Sequence, residues 1–202
     1  SGDVISDCIT HLEKTLTSAR QQLIIVDNAS TDQTRSWLRK HRDRLSATFH
    51  RLDVIFNSSN LGFTHAVNQG LKIHSAGHVL MLNPDVFVQP ETLSALLSFL
   101  KKNPQIGVIA PQLRYPDHQI QPSCRRFPEY RDVIFQVTGI SRLPLPVKTW
   151  KMTEFDHKSS RDVEQPQGAF LLFRASVIDE VGLLDERFYM FFSDVDFCRR
   201  VI

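Results

Sequence analysis

The sequence predicts an α/β fold in which a mostly parallel sheet carries helices on both faces. Short apolar runs rich in β-branched residues alternate with amphipathic helical patterns along the first 110 residues, which is typical of this class. The apolar runs are nearly continuous, as in strands that are buried on both faces of a parallel sheet. At 202 residues, of which 42% are hydrophobic, the chain is long enough for one such domain.

Each predicted element rests on its own pattern. The predicted elements are, in order, a helix over residues 3–19, a strand at 23–26, a helix at 32–45, a strand at 52–56, a helix at 63–74, a strand at 79–82, a helix at 90–100 and a strand at 106–110. The helices show apolar residues at helical spacing. Ser30 and Gln33 have the spacing of a capping box, which predicts the start of the second helix, and Pro90 starts the fourth.

After Pro111 the pattern changes. Residues 111–127 are predicted as a hairpin, 129–137 as a helix, 168–173 as a strand and 175–181 as a helix. The stretch 141–166 is rich in Pro, Lys, Asp and Ser, and its length favours a functional or mobile loop over a plain connection. The final segment, residues 188–200, is first aromatic, then acidic, then basic.

The composition excludes some classes of function. The 24 basic and 22 acidic residues nearly balance, which argues against a nucleic-acid-binding protein. The three cysteines are far apart and form neither a metal-spaced pair nor a disulfide framework. No apolar run approaches the roughly 20 residues that cross a bilayer, and there is no signal-peptide pattern. We therefore expect a cytoplasmic protein, soluble or peripherally attached at the inner face of the membrane.

Carboxylates follow two of the predicted strands. Asp27 and Asp85 come where strands end, and ligands of parallel α/β sheets bind at this edge. A carboxylate directly after a buried strand is costly unless it is paired, hydrogen-bonded or metal-bound, and magnesium is usually held by one or two carboxylates together with substrate phosphates. The alternative for residues 83–85 is an ordinary Asn-Pro-Asp turn. Asp27 and Asn28 suit hydrogen bonds to a nucleobase or ribose, or a loop with a helix cap.

A third acidic cluster lies near the end of the chain. Asp194 and Asp196 follow an aromatic run, and on a helix they lie about 200° apart, so they face different directions. One of them can face a cleft while the other pairs with Arg199 or Arg200. An Asp in an apolar rim suits a general base; the alternative is a charge that complements the helix N-terminus.

Together these segments resemble glycosyltransferase family 2, in its rhamnosyltransferase-like branch, which has the Rossmann-like GT-A fold. The resemblance is carried by IIVDNASTD (24–32), NLGFTHAVNQG (60–70), LMLNPDV (80–86) and GAFLLFRASVIDEVGLLDERFYMFFSDVDFCRR (168–200), in the family's order. The family's first strand, usually ending in Asn-Tyr-Asn, is missing, and the chain stops inside a predicted helix. We therefore expect a domain truncated at both ends.

The resemblance implies a role for several residues. Asp27 and Asn28 match the nucleotide-binding pair, in which many relatives carry two aspartates. Residues 83–85 match the metal-binding Asp-x-Asp-type motif, with Asp85 as the ligand of Mg²⁺ or Mn²⁺ and Asn83 in place of a carboxylate. Asp194 matches the proposed catalytic base of the family's Glu-Asp motif, and Ser193 replaces the Glu.

Further candidates for substrate binding come from the same motifs. They are Asn60, Gly62, Asn83, Gly168, Ala169 and Asp196. The resemblance implies one catalytic domain over residues 1–202, with a nucleotide-sugar-binding half (1–110) and an acceptor-side half (111–202) that contains the loop 141–166.

The implied activity is inverting, metal-dependent transfer of a sugar from a nucleoside-diphosphate donor. The resemblance favours rhamnose as the sugar and a glycan or lipid-linked acceptor in cell-surface polysaccharide synthesis. Two alternatives remain: a sugar nucleotidyltransferase, which would need a Gly-rich basic loop after its first strand, and a non-catalytic domain that binds nucleotide or glycan. The neutral residues Asn83 and Ser193 favour the latter, and the carboxylates Asp85 and Asp194 oppose it.

Overall fold

The computed structural model describes residues 2–15, 20–138 and 150–202, in which helices and strands alternate as expected. The first eight elements are α1 (Gly2–Lys14), β1 (Gln22–Asp27), α2 (Thr34–Thr48), β2 (Arg51–Phe56), α3 (Phe63–Leu71), β3 (His78–Leu82), α4 (Thr92–Lys102) and β4 (Val108–Ile109). They are followed by β5 (Leu113–Arg114), β6 (Ile120–Gln121), β7 (Cys124–Arg125), α5 (Tyr130–Val137), β8 (Gln165–Pro166), β9 (Phe170–Arg174), α6 (Ala175–Val181) and α7 (Ser193–Val201).

Strand pairing groups β1 and β2 in one sheet and β3, β9 and β4 in another, and predicted site residues follow strands of both sheets. β1 and β2 are parallel, from Gln22 opposite Arg51 to Asp27 opposite Phe56. β9 lies between β3 and β4 and is antiparallel to both, so β3 and β4 run in the same direction. Because β9 is antiparallel, its beginning lies beside the end of β3, and Asn83 N donates to Ala169 O at 2.9 Å. This pairing brings residues 168–169 to the edge where β3 ends.

The core explains why β9 is continuously apolar. Leu171 and Phe173 belong to a cluster with α3, α6 and α7, whereas Phe170 and Leu172 belong to a cluster with α4. Alternate side chains of a strand point to opposite faces, so both faces of β9 are covered. A third cluster packs α1 and α2 against β1. Asn68 of α3, which is buried, exchanges hydrogen bonds with the main chain of Leu184 and fastens α3 to the segment that leads to α7.

The boundaries differ from the prediction in places. The hairpin predicted within 111–127 is confirmed as β5–β6, and residues 16–19 of the first predicted helix lie outside the described residues. The capping box at Ser30 and Gln33 is wrong: α2 begins at Thr34, and Gln33 at the N-cap makes no side-chain cap. Asp32 accepts a hydrogen bond from Thr34 N instead, while Ser30 N donates to the buried Asp27.

The predicted loop 141–166 is described only from residue 150 onward, and residues 141–149 lie outside the described residues. In the described part Met152, His157 and Gln165 are buried, and β8 pairs with β7. Residues 150–166 therefore pack against the domain. Among the described residues, no helix is both long enough and apolar enough to span a membrane.

Candidate active site

The Asp27 carboxylate at the end of β1 is enclosed by the protein. Its side chain is 0% exposed, and its Oδ2 accepts a hydrogen bond from Arg35 Nε at 2.5 Å. The same guanidinium donates to Asn57 O, just beyond β2. Asp27 Oδ1 accepts from Ser30 N at 3.3 Å. Arg35 thus ties the ends of the two parallel strands together, and both oxygens of Asp27 already have donors within the chain.

The Asn28 side chain organises the neighbouring loop. Its amide donates to Asn60 Oδ1 at 2.8 Å and to Gly62 O at 3.0 Å. Its carbonyl accepts from Asn57 Nδ2 at 3.1 Å and from Leu61 N at 3.0 Å. All four hydrogen-bonding positions of the amide are therefore used. The structure brings together the predicted residues Asn28, Asn60 and Gly62, and Asn28 holds residues 57–62, which we call the Asn28 loop, in place.

Residues 189–192 (Tyr189, Met190, Phe191 and Phe192) form an exposed segment that we call the aromatic strap. Tyr189 OH donates to Asn60 Oδ1 at 3.3 Å, and a Cβ atom at Gly62 would lie 2.6 Å from Tyr189. Gly62 also has a φ of +90°, so glycine is required there both by conformation and by close approach. The strap links the Asn28 loop to the start of α7.

Asp85 is an exposed carboxylate just after β3. It forms no hydrogen bond or ion pair with the residues that the structure describes. Burial, and next the charge of Asp85, raise the pKa of the Cys8 thiol to about 11. The Asn83 carbonyl accepts a turn hydrogen bond from Val86 N. Asp85 is thus free to bind a ligand, whereas the main chain of Asn83 holds the turn.

The described residues do not form a pre-assembled metal cage. Within residues 2–15, 20–138 and 150–202, no three or more His, Cys, Asp or Glu side chains are grouped to hold a metal ion. A single free carboxylate nevertheless fits Mg²⁺ or Mn²⁺ that is shared with the phosphates of a substrate, because Mg²⁺ is commonly bound by one or two carboxylates. Asp85 is the residue that fits this role.

Asp194 lies in the first turn of α7 and receives three N–H donors. Its Oδ2 accepts from Gly168 N at 3.0 Å and from Gln165 Nε2 at 3.1 Å, and its Oδ1 accepts from Val195 N at 3.0 Å. The helix N-terminus further favours the negative charge. No cation contacts it among the described residues. Asp194 is therefore an oriented carboxylate whose Oδ1 keeps a lone pair for a proton.

Asp196 faces away from Asp194, as its spacing predicts. Its carboxylate forms an ion pair with Arg200 at 2.9 Å, and Arg200 also donates to Val181 O and, at 2.9 Å, to Leu183 O. This group joins α7 to the end of α6. The substrate-binding role predicted for Asp196 has no test here, and its visible contacts stabilise the fold.

The residues around Asp194 are buried and tightly packed. Ser193, where the resemblance implies a Glu, is 1% exposed, and its Oγ has no hydrogen-bond partner among the described residues. Phe192 before it has a left-handed φ of 68°, an unfavourable conformation for an aromatic residue. Burial, and next the charge of Asp194, raise the pKa of the Cys198 thiol to about 12. Cys198 thus stays protonated near neutral pH.

Several residues that contact predicted site residues were missed by the sequence analysis, among them Arg35 and Gln165. Arg35 encloses Asp27, and Gln165 donates to Asp194. The sequence pointed to Arg35 only through its position in the first turn of a helix that follows a strand ending in a carboxylate. Gln165 lies in a segment without periodicity, so no sequence pattern pointed to it.

Family membership follows from comparison with known proteins. The model of the glycosyl transferase family 2 matches residues 2–178. The chain belongs to this family. The predicted family is thereby confirmed, and the α/β fold of the GT-A type agrees with it. The roles of individual site residues remain predictions.

Named relatives of this family 2 chain are sugar transferases. It is 30% identical, over 92% of its length, to N-acetylglucosaminyl-diphospho-decaprenol L-rhamnosyltransferase of Mycobacterium tuberculosis, of which it covers 64%. It is 24% identical to the low-salt glycan biosynthesis hexosyltransferase Agl10 of Haloferax volcanii, over 89% of this chain and 52% of the relative. The chain thus spans only about half to two thirds of these relatives' length.

Solved structures show the same fold. Staphylococcus aureus TarS 1–349 in complex with UDP-GlcNAc superposes with a TM-score of 0.63 at 17% identity, over 98% of this chain and 49% of that chain. The mannosyltransferase PcManGT of Pyrobaculum calidifontis, in complex with GDP-Man and Mn²⁺, has a TM-score of 0.61 at 16% identity, over 92% of this chain and 45% of that chain.

Proposed function

We propose that residues 1–202 form the catalytic domain of an inverting glycosyltransferase that uses a nucleoside-diphosphate sugar. The observation that carries this proposal is the Asp194 carboxylate, held by neutral N–H donors beside the edge where β3 ends. In this reaction Asp194 Oδ1 accepts the proton of the acceptor hydroxyl as the hydroxyl oxygen attacks the anomeric carbon. The bond from that carbon to the donor phosphate oxygen breaks, and the nucleoside diphosphate leaves.

The donor would occupy the half of the domain formed by residues 1–110. The Asn28 loop and the aromatic strap frame the end of β1, where the nucleoside is expected. The enclosed Asp27 supports this edge through Arg35. A divalent ion at Asp85 would supply charge neutralisation for the leaving diphosphate. Mn²⁺ in the PcManGT complex supports the use of a divalent ion.

The acceptor is proposed to be a lipid-linked glycan, and rhamnose is the proposed sugar. The mycobacterial relative, named as a rhamnosyltransferase of a diphospho-decaprenol acceptor, supports both. The aromatic strap supports an acceptor with an apolar part, because Phe191 is 74% exposed and all four strap residues precede Asp194 closely. Such an acceptor places the enzyme at the inner face of the membrane, in synthesis of cell-surface polysaccharide.

The decisive test is Asp194→Asn in the full-length protein. We expect transfer to fall by at least about 10³-fold, because the variant has no base at the reacting hydroxyl, while donor binding stays within about threefold. Asp179→Asn is the matched control, because Asp179 is exposed on α6. Full transfer by Asp194→Asn would refute the base assignment.

The donor and the alternatives are tested with the same protein. A thermal-shift screen of nucleotide sugars should identify the donor, since ligands of the native state raise apparent stability. Release of pyrophosphate from a nucleoside triphosphate and a sugar 1-phosphate would indicate a nucleotidyltransferase instead. Tight donor binding without turnover, in the presence of Mg²⁺ or Mn²⁺, would indicate a non-catalytic domain.

A further inference from the structure

Gln165 is a buried amide that contacts the carboxylate of the proposed base. Its residue is 6% exposed, and its Nε2 donates to Asp194 Oδ2 at 3.1 Å. Gly168 N donates to the same oxygen at 3.0 Å. Among the residues that the structure describes, Oδ2 therefore has two donors from outside α7, whereas Oδ1 has only the adjacent main-chain donor Val195 N. The two oxygens are thus held unequally.

The backbone around Gln165 is fastened on both sides. Gln165 pairs with Arg125 in the β7–β8 ladder, and Gln167 N donates to Ser123 O at 2.7 Å. The preceding residue, Glu164, accepts a hydrogen bond from Phe127 N at 2.5 Å. A ladder of two-residue strands restrains the backbone weakly, and the hydrogen bonds of residues 164 and 167 restrain it further on both sides of Gln165. The backbone from which the Gln165 amide reaches Asp194 is therefore held in place.

We propose that Gln165 is a positioning residue that, with Gly168 N, fixes the rotation of the Asp194 carboxylate so that Oδ1 faces the acceptor hydroxyl. This inference rests on the proposed function of Asp194. Because Gln165 and Gly168 donate to the same oxygen, the carboxylate cannot rotate away from its present angle without lengthening or breaking both of these hydrogen bonds. Catalysis depends on such orientation, because small misplacements of a reacting group cost rate.

Other ionisable side chains lie on α7 and on β7, near the segments that contact Asp194. On α7, Cys198 has a pKa raised to about 12, chiefly by burial, so it stays protonated in the range of an assay. Asp196 is paired with Arg200. On β7, Arg125 donates to the carbonyls of Pro122 and Cys124. The Arg199 guanidinium lies over the Phe127 ring.

The test compares Gln165→Leu and Gln165→Glu with Gln167→Leu in the full-length enzyme. Gln167 is exposed and makes its hydrogen bond through its main chain, so its variant is the matched control. For Gln165→Leu we expect kcat to fall about tenfold, the KM for donor to stay within about twofold, and the acidic limb of the kcat–pH profile to move up by about 0.5–1 pH unit. Gln165→Glu should move the limb further, because two carboxylates then share the site.

The outcomes separate this inference from the proposed function. Wild-type kcat and an unmoved acidic limb in Gln165→Leu would overturn the positioning role, even if Asp194→Asn is inactive. A fall in kcat with an unmoved limb and a raised donor KM would also overturn it, because that pattern indicates a structural role. If Gln165→Leu unfolds at lower temperature, Gln165→Met, which keeps the volume, decides by the same criteria. An active Asp194→Asn would refute the base assignment itself.

Discussion

Replacing Gly168 by alanine probes the position of the Asp194 carboxylate directly. A Cβ atom on Gly168 would lie 2.9 Å from Asp194 Cβ, 3.0 Å from Oδ2 and 3.2 Å from Cγ. Carbon atoms in ordinary contact are about 3.5–4.0 Å apart, so the Asp194 side chain must move by about 0.5–1 Å. The new methyl group meets the carboxylate along its whole length, so rotation about one bond does not relieve the contact.

The expected effect on catalysis follows from this displacement. A shift of about 1 Å in a reacting group costs on the order of 10²-fold in rate, so we expect Gly168→Ala to lower kcat by about 10- to 100-fold. The KM for donor should stay within about twofold, because the loop held by Asn28 and the carboxylate of Asp85, where the donor and its metal ion are proposed to bind, are untouched. Steady-state transfer assays on the full-length enzyme, at saturating acceptor, provide both constants.

Gly77→Ala is the matched control for this prediction. A Cβ atom there meets nothing within 4 Å, so the substitution should leave kcat unchanged and affect the free energy of unfolding by less than about 1 kcal/mol. Thermal unfolding of both variants separates a local shift from a general loss of fold. If Gly168→Ala retains wild-type kcat and stability, the close packing of Gly168 on Asp194 has no catalytic role and the reasoning fails.

Three further predictions address stability, pH and metal binding. Arg35→Leu leaves the fully buried Asp27 carboxylate without its cation and should lower the free energy of unfolding by about 3–5 kcal/mol in urea denaturation. The guanidinium of Arg39 also lies over the Phe56 ring, so Arg39→Leu is the control and should lower the free energy of unfolding by less than about 1 kcal/mol. Equal losses in the two variants would contradict the role of the ion pair. Burial and the charge of Arg174 lower the pKa of His78, so the unfolded chain takes up more protons than the folded chain below about pH 6.5. The free energy of unfolding should therefore decrease as pH falls from 7 to 5. His78→Asn should make this pH dependence shallower, and an unchanged slope would refute the role of His78. Asp85→Asn should raise the Mn²⁺ or Mg²⁺ concentration for half-maximal transfer by about tenfold or more without lowering the melting temperature, and an unchanged metal titration would exclude Asp85 as a ligand.

The edge of the sheet was predictable because strand ends are visible in the sequence. An apolar run followed by polar residues marks where a strand leaves the core, and Asp27, Asn28 and Asp85 were located in this way. The enclosure of Asp27 was not predictable. α2 carries several basic residues, and only packing against β1 and β2 decides that Arg35 reaches the carboxylate while Arg39 stays exposed. Helical spacing does not distinguish them without the neighbouring strands.

Helix geometry also explains what was predicted correctly near the end of the chain. The separation of Asp194 and Asp196 by about 200° predicted opposite directions, and the structure confirms this with Gln165 on one side and Arg200 on the other. The partner Gln165 itself was not predictable, because β8 has two residues in a segment without period. Its place depends on long-range pairing with β7, which single-sequence patterns do not record.

The contacts of the acidic residues determine where negative charge remains at the proposed site. Asp27 is neutralised by Arg35 and Asp196 by Arg200, so neither presents free charge. Asp194 has only neutral donors and Asp85 is exposed without a partner among the described residues. A donor diphosphate would therefore approach two unneutralised carboxylates, which repel it unless a cation intervenes. The resemblance implies acidic residues at positions 28, 83 and 193, and the neutral Asn28, Asn83 and Ser193 reduce this repulsion without removing it. The proposed donor site therefore favours a cation at Asp85 when the donor binds.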